Sequence, residues 1–294
     1  MNLFDYCFKN YAYEIGCRNI APDDRLPCDN SPQRYSILHA TEKEWYADAF
    51  CIEYHGEAYV FFEIMDSLSG KGRIGVSKFE NGSFSKVKTV LDEPFHLSYP
   101  NVFVINDTVY MIPESCQANQ IRLYRAVKFP YEWKLEKILI DNIYAVDTSL
   151  LTGRSGQLYI YTRLNYEDGK QLWFTLDPNT FELNEFPVAG LSDERPAGNA
   201  FYWQDKLIRP LQDCSRCYGE KVKIYNILDD SDICKEEYLF SISNNSIISG
   251  KGRKYEFIHT LNRTGNIEVV DLCYKRFYIT KPVRRLIQKL QGKG

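Results

Sequence analysis

No stretch of this 294-residue chain approaches the run of about 18 apolar residues that a membrane-spanning helix needs. Its start, Met-Asn-Leu-Phe-Asp-Tyr-Cys-Phe-Lys, lacks the basic segment and apolar stretch of a secretory signal, so a cytoplasmic chain is expected. A surplus of one charge is also missing. Lys and Arg number 36 against 39 Asp and Glu, and the net −3 offers nucleic acid no electrostatic footprint. Histidine is scarce, with only His39, His55, His96 and His259. Zinc at Cys214-Ser-Arg-Cys217 would need a second pair of ligands, and none lies near in sequence. The βαβ setting of a redox CxxC is absent as well. The nine cysteines, odd in number and scattered, therefore read as plain thiols. There is no Gly-x-Ser-x-Gly, no phosphate-cradling Gly-rich loop and no His-Glu-x-x-His. Asp229-Asp-Ser-Asp232 reads as a polar turn, and no metal is expected.

Aromatic residues are abundant, with 22 Tyr and 17 Phe, and favour strands. From Asp48 to Glu63 the chain reads as two short strands around a His55-Gly56 turn. The same unit recurs from Tyr99 to Glu114, from Asp147 to Arg163, from Ala197 to Gln212 and, through Lys251-Gly252, from Asn244 to His259. A third strand-like run follows each copy, at 73–79, 121–129, 171–176, 222–227 and 267–273. A fourth follows in most, at 84–91, 133–140, 181–188 and 237–242. Four strands per repeat, five times over, predict an all-β, five-bladed β-propeller. A sandwich or solenoid would not hold this register in five places. The fifth copy lacks its outer strand, and residues 33–40 are expected to join blade five and close the ring. The expected organisation is an N-terminal extension over 1–32, the propeller over 33–275 and a basic amphipathic tail over 276–294. That tail has Pro282 at a helix start and Val283, Leu286, Ile287 and Leu290 on one face. It suits a helix packed on the outer wall or resting on an anionic membrane.

In a propeller the innermost strands line a channel, so strand starts and second-strand ends converge on one rim. The starts are Asp48, Tyr99, Asp147, Ala197 and Asn244. The ends are Glu63, Glu114, Arg163, Gln212 and His259. His96, Arg195, Arg209 and Asp213 flank the same rim. Crowded carboxylates repel one another and call for matched cations or a chemical task. Sugars fit such a funnel: carboxylates accept from hydroxyls, Arg and Gln orient, and Trp45, Tyr46, Tyr99 and Tyr218 stack on pyranose faces. Acid–base work at a glycosidic bond needs two carboxyl groups, with Asp48 as base and Glu114 or Glu194 as acid.

The blocks Trp45-Tyr-Ala-Asp48, Phe95-His-Leu-Ser-Tyr-Pro100, Met111-Ile-Pro-Glu-Ser115, Ala145-Val-Asp147, Arg195-Pro-Ala-Gly198, Arg209-Pro-Leu-Gln-Asp-Cys-Ser215 and Tyr218-Gly219 carry a resemblance. Over about residues 33 to 275 the chain resembles the N-terminal domain of glucosamine inositolphosphorylceramide transferases, which is similar to the propeller of family 43 and 62 glycoside hydrolases. The resemblance implies Asp48 as base, Asp147 as the acid-tuning carboxylate and Glu194 as the acid. The hydrolases typically carry Glu-Gly-Pro at that last position, and this chain has Glu194-Arg-Pro. In the plant-type transferases a glycosyltransferase domain follows the propeller, and this sequence ends after it. The expected function is sugar binding or transfer in surface polysaccharide or glycolipid assembly. The alternatives are a family 43-like glycosidase and a non-catalytic glycan scaffold. The partners expected are a sugar or glycan, with a nucleotide-sugar donor in place of any bound cofactor, a glycolipid acceptor, and the inner face of a membrane touched by the tail.

Overall fold

The computed structural model describes residues 9–277 apart from 22, 68, 167–168, 229–232, 234 and 251–252. The expected tail helix, the Asp229–Asp232 turn and the Lys251-Gly252 turn lie outside the described residues. Five small antiparallel sheets form the five blades of a propeller. Blade one comprises Glu44–Tyr54, Glu57–Asp66 and Gly72–Glu80, with Ser83–Phe84 and Lys88–Leu91 on its outer edge. Blade two runs through Ser98–Ile105, Thr108–Glu114, Gln120–Lys128 and Glu132–Asp141. Blade three is Ala145–Thr152, Leu158–Leu164, Gln171–Leu176 and Leu183–Glu185. Blade four is Phe201–Trp203, Lys206–Asp213, Lys221–Ile227 and Glu236–Ile242.

The hairpin turns explain why strands break where they do. His55-Gly56, Asn106-Asp107 and Gln204-Asp205 all carry positive φ, between 48° and 77°. Paired positive φ values match the right-handed twist of the flanking strands, which is why Asn, Asp and Gly gather there. Between turns the side chains alternate, and each blade buries a face against the next. Phe50, Phe61 and Val76 of blade one meet Leu97, Val102 and Met111 of blade two. Ile112 and Leu123 meet Ile160 and Phe174 across blades two and three. Comparable layers join blades three and four, four and five, and five and one. The core is thus a ring of five inter-blade layers, stable only when the ring is closed.

Closure uses an N-terminal strand, as expected, but more of the N-terminus than residues 33–40. Lys9–Asn19 pairs with Ile267–Phe277 over eleven register positions. Ser36–Leu38 then lies outside it as the last strand of blade five. Residues 9–19, expected in an extension before the propeller, therefore contribute Ala12, Ile15 and Cys17, all fully buried. The glutamate between them, Glu14, is fully buried too; it meets Arg253 at 2.9 Å and accepts from Tyr255 Oη at 2.8 Å.

The fifth hairpin is also displaced from the expected register. The inner side is Tyr255–Phe257 followed, after a break, by Leu261–Thr264, which turns through Gly265-Asn266 into Ile267–Phe277. Of the expected span 244–259, Tyr255–Phe257 takes part, pairing with Tyr274 and Cys273. Asn244 opens a short 3₁₀ turn, and His259 stands in the break between the two inner pieces rather than at the end of the second strand.

Candidate functional site

Strand starts and ends converge on one rim and enclose a chamber of about 280 Å³. Asp48, Glu63, His96, Glu114, Asp147, Arg195, Tyr218 and His259 all line it, beside Tyr13 and Trp45. Asp48 and Asp147 hold the left-handed conformation, with φ of 53° and 55°. Each sits where its strand pairing skips, between Ala47 and Phe50 and between Val146 and Ser149. Such bulges re-aim a side chain, and positive φ at a non-glycine residue is strain that the surrounding contacts must offset. Tyr99 has the same conformation, φ 44°, but its ring points into the core, where it is fully buried and its hydroxyl meets Ser149 Oγ at 2.7 Å. Its contribution to the rim is its backbone N–H, which donates to Asp48 Oδ2 at 3.3 Å. A stacking role for Tyr99 is therefore excluded by its burial.

The acids are matched by three partners. Arg195 Nε donates to Asp147 Oδ2 at 2.5 Å, and Nη2 lies 3.9 Å from Glu114 Oε2. His259 Nε2 lies 3.0 Å from Asp48 Oδ1, and its Nδ1 lies 2.9 Å from Asp271 Oδ2. His96 Nδ1 accepts the Gly72 N–H at 3.0 Å, which leaves the Nε2–H facing Glu63 Oε1 at 3.2 Å. A side chain at Gly72 would collide with Leu97 O and Glu63 Oε1, so glycine is required for that meeting.

Burial and crowding give these groups different protonation. Glu63 is pushed well above the usual carboxylate range by burial, then by the Asp48 and Glu114 charges. Burial, then Asp147, raises Glu114 to about 8, although Arg195 opposes the shift. Burial also raises Asp147, against the pull of Arg195. His96 is lowered by burial, which fits its neutral tautomer. Burial disfavours the His259 imidazolium, but Asp271 and Asp48 outweigh it and raise this group well above the ordinary value. Burial thus favours the protonated, hydrogen-bond-donating form of Glu63 and Glu114, while Arg195 pulls Asp147 toward its ionised form.

A second, wider cleft of about 750 Å³ adjoins the chamber and shares Arg195 and Tyr218 with it. Arg163, Glu194 and Gln212 belong here. Gln212 is nearly fully buried and bonds Asp147 Oδ2 and Pro196 O. Glu194 is held by Lys223 at 2.5 Å and lines the cleft rather than the chamber. Three expected rim residues are elsewhere. Arg209 is fully buried, paired with Glu236 at 2.6 Å and set 5.7 and 5.6 Å from the ring centres of the stacked Tyr161 and Trp173, so it supports the blade and touches no ligand. Asp213 accepts the Ser215 N–H at 3.1 Å in a turn. Asn244 donates to Tyr255 O at 3.0 Å. Cys214 and Cys217 are both free thiols.

Asp271 is the site residue that sequence reasoning missed. Its signal was the Gly265-Asn266 turn between two apolar runs, which marks the true fifth hairpin. Asp48, His259 and Asp271 bring two carboxylates and one imidazole within 4.8 Å of one another. The imidazole nitrogens face two different carboxylates, the arrangement of a chain of ion pairs.

Comparison with known proteins agrees with this architecture. The family model described as glucosamine inositolphosphorylceramide transferase 1, N-terminal, matches residues 36–254. The glucosamine inositolphosphorylceramide transferase 1 of Oryza sativa subsp. japonica is 36% identical over 206 residues, which is 65% of this chain and 27% of the relative. That of Arabidopsis thaliana is 31% identical over 215 residues, 65% of this chain and 26% of the relative. The match thus spans about a quarter of those curated relatives. Among solved structures, a GH43 β-xylosidase/α-arabinofuranosidase from a compost microbial metagenome shares the fold at a TM-score of 0.58 and 9% identity, over 81% of this chain and 92% of that one. The catalytic domain of a Coprinopsis cinerea GH62 α-L-arabinofuranosidase does so at 0.59 and 11%, over 88% and 97%.

Proposed function

The chain belongs to the family of the glucosamine inositolphosphorylceramide transferase 1 N-terminal domain, and on that premise we propose that it binds or transfers a sugar in glycolipid or surface-polysaccharide assembly. The observation that carries this reading is the central chamber, where four crowded carboxyl groups, Asp48, Glu63, Glu114 and Asp147, meet Arg195 and two histidines around a space of about 280 Å³. That volume is at the low end for a small-molecule pocket and suits a single sugar ring. Asp48 accepts from sugar hydroxyls, Glu114 in its acid form donates, and Tyr218 and Trp45 supply faces for stacking. The adjoining cleft takes what the sugar is attached to. Its Arg163 and Lys170 suit the phosphoryl group of a nucleotide-sugar donor or a glycolipid acceptor.

Glu194 is the residue on which hydrolysis would turn, and its ion pair with Lys223 outside the chamber favours binding or transfer over hydrolysis. Nucleotide sugars and aryl glycosides, offered to wild type, Asp48→Asn and Glu114→Gln, test the proposal. We expect sugar binding in the wild type and a loss of about tenfold or more in Asp48→Asn, the scale of one charged hydrogen bond. Aryl glycoside cleavage that disappears in Asp48→Asn would replace this reading with a hydrolase. Affinity indifferent to both substitutions would move the site elsewhere. The setting we propose is the cytoplasmic face of a membrane, through the basic tail; liposome binding unchanged on removal of residues 276–294 would end that part.

A further inference from the structure

Asp271 touches no open space, yet it organises the chamber wall. It is fully buried at the middle of blade five's second strand. One oxygen, Oδ1, accepts the backbone N–H groups of His259 and Thr260, each at 3.0 Å. The other, Oδ2, accepts the N–H of Asp48 at 3.1 Å and lies 2.9 Å from His259 Nδ1. A single carboxylate therefore fixes the backbone at the start of blade five, the backbone at the strained position of blade one, and the imidazole between them. The far side of that imidazole meets Asp48 Oδ1 at 3.0 Å.

We propose that Asp271 is the positioning residue of the site, holding the Asp48 carboxylate at the chamber wall through both the Asp48 backbone and the His259 imidazolium. Two different blades meet here, so the arrangement exists only in the closed ring. The other groups facing His259 are Tyr13 from the N-terminal strand, with rings 4.9 Å apart, and Tyr218 from the loop after blade four's second strand, at 5.6 Å. Glu63 and Asp147 act on it across the chamber. None of these supplies a second cation near Asp48 Oδ1, so His259 is its counter-charge among the described residues. Gly219, at φ 61°, lets the Tyr218 loop close on the ring, since a side chain there would strike His259 Cβ. The relay explains how a residue at φ 53° keeps one orientation: its N–H and its carboxylate are tied to the same acid, directly and through one ring.

The inference rests on Asp48 as the ligand-contacting carboxylate of the proposed site, but its test needs no sugar. With only four histidines, the imidazole ¹⁵N signals of the full chain resolve individually. His259 should remain an imidazolium well above the ordinary imidazole range, held so by Asp271 and Asp48. Asp271→Asn, which keeps the shape and removes the charge, should move the His259 titration downward, further than Asp48→Asn does, and should shift the Asp48 carboxyl carbon signal. A wild-type His259 that titrates in the ordinary imidazole range would overturn the proposal, and that measurement stands even if the variant does not fold. So would an Asp271→Asn protein in which neither the His259 titration nor the Asp48 signal moves. Absence of sugar binding in the wild type, by contrast, would count against the functional reading and leave the ¹⁵N result to decide this one.

Discussion

Replacing Glu114 by glutamine should stabilise the protein in base and leave it nearly unchanged in acid. Burial, with Asp147 next, raises the Glu114 carboxyl from 4.5 to about 8, so the folded chain holds its proton more tightly than the unfolded chain does. Stability therefore falls as pH rises from the unfolded value through the folded one, in the window from about 4.5 to about 8. The difference of about 3.5 units, at about 1.36 kcal/mol each, bounds the loss at roughly 5 kcal/mol. The side chain is 10% exposed on the chamber, and water there trims the figure. A realised difference of about 2 kcal/mol would still shift Tm by about 4–8 °C in a chain of this size. Glutamine keeps the volume and the donor but cannot ionise, so it escapes the loss. Thermal melts of both proteins from pH 4 to pH 9 provide the assay. The raised neighbour Glu63 is present in both and largely cancels. Parallel stability curves for the two proteins would refute the reasoning, because they would mean that Glu114 ionises in the fold as easily as in water.

Ile15→Ala, in the strand that closes the ring, should cost about 2–5 kcal/mol by chemical denaturation, since Ile15 is fully buried between blades five and one. Arg209→Ala should cost about 3–5 kcal/mol by leaving Glu236 buried without its cation, while the folded fraction keeps wild-type ligand affinity. Lost affinity at unchanged stability would instead return Arg209 to the site. Gly72→Ala should destabilise through the clash with Leu97 O and displace Glu63 from His96, visible as a changed His96 titration. Arg195→Gln removes the cation 2.5 Å from Asp147, so Asp147 should be protonated to still higher pH and stability at neutral pH should fall relative to acid.

Blades one to four were legible because each hairpin announces itself twice, through a turn that needs positive φ and through alternating apolar residues on either side. Asp48, Glu63, Glu114 and Asp147 followed from that register alone, and all four line the chamber. Blade five was not legible in the same way. The chain between Ile242 and Leu261 departs from the repeat spacing, so the spacing points to Asn244 where the structure has His259. The placement of Tyr99 and Arg209 also escaped the sequence. A repeat alignment assigns a backbone position, whereas a bulge decides which way the side chain leaves it. Tyr99 shares its backbone conformation with Asp48 and Asp147, yet its apolar ring gains more from the core than from the rim.

The amino-acid order by itself determined the repeat, the strand periodicity, the turns and hence a ring of five blades with acids at its centre. These are local properties, written in spacing of two residues within strands and about fifty between blades. Which acids share a wall, which cation each one meets and which remain protonated were decided only by closure of the ring. Lys9–Asn19 pairs with a strand some 250 residues later, and Asp48 meets His259 and Asp271 from the far end of the chain. Burial and charge proximity are properties of that three-dimensional meeting, and no spacing along the chain encodes them.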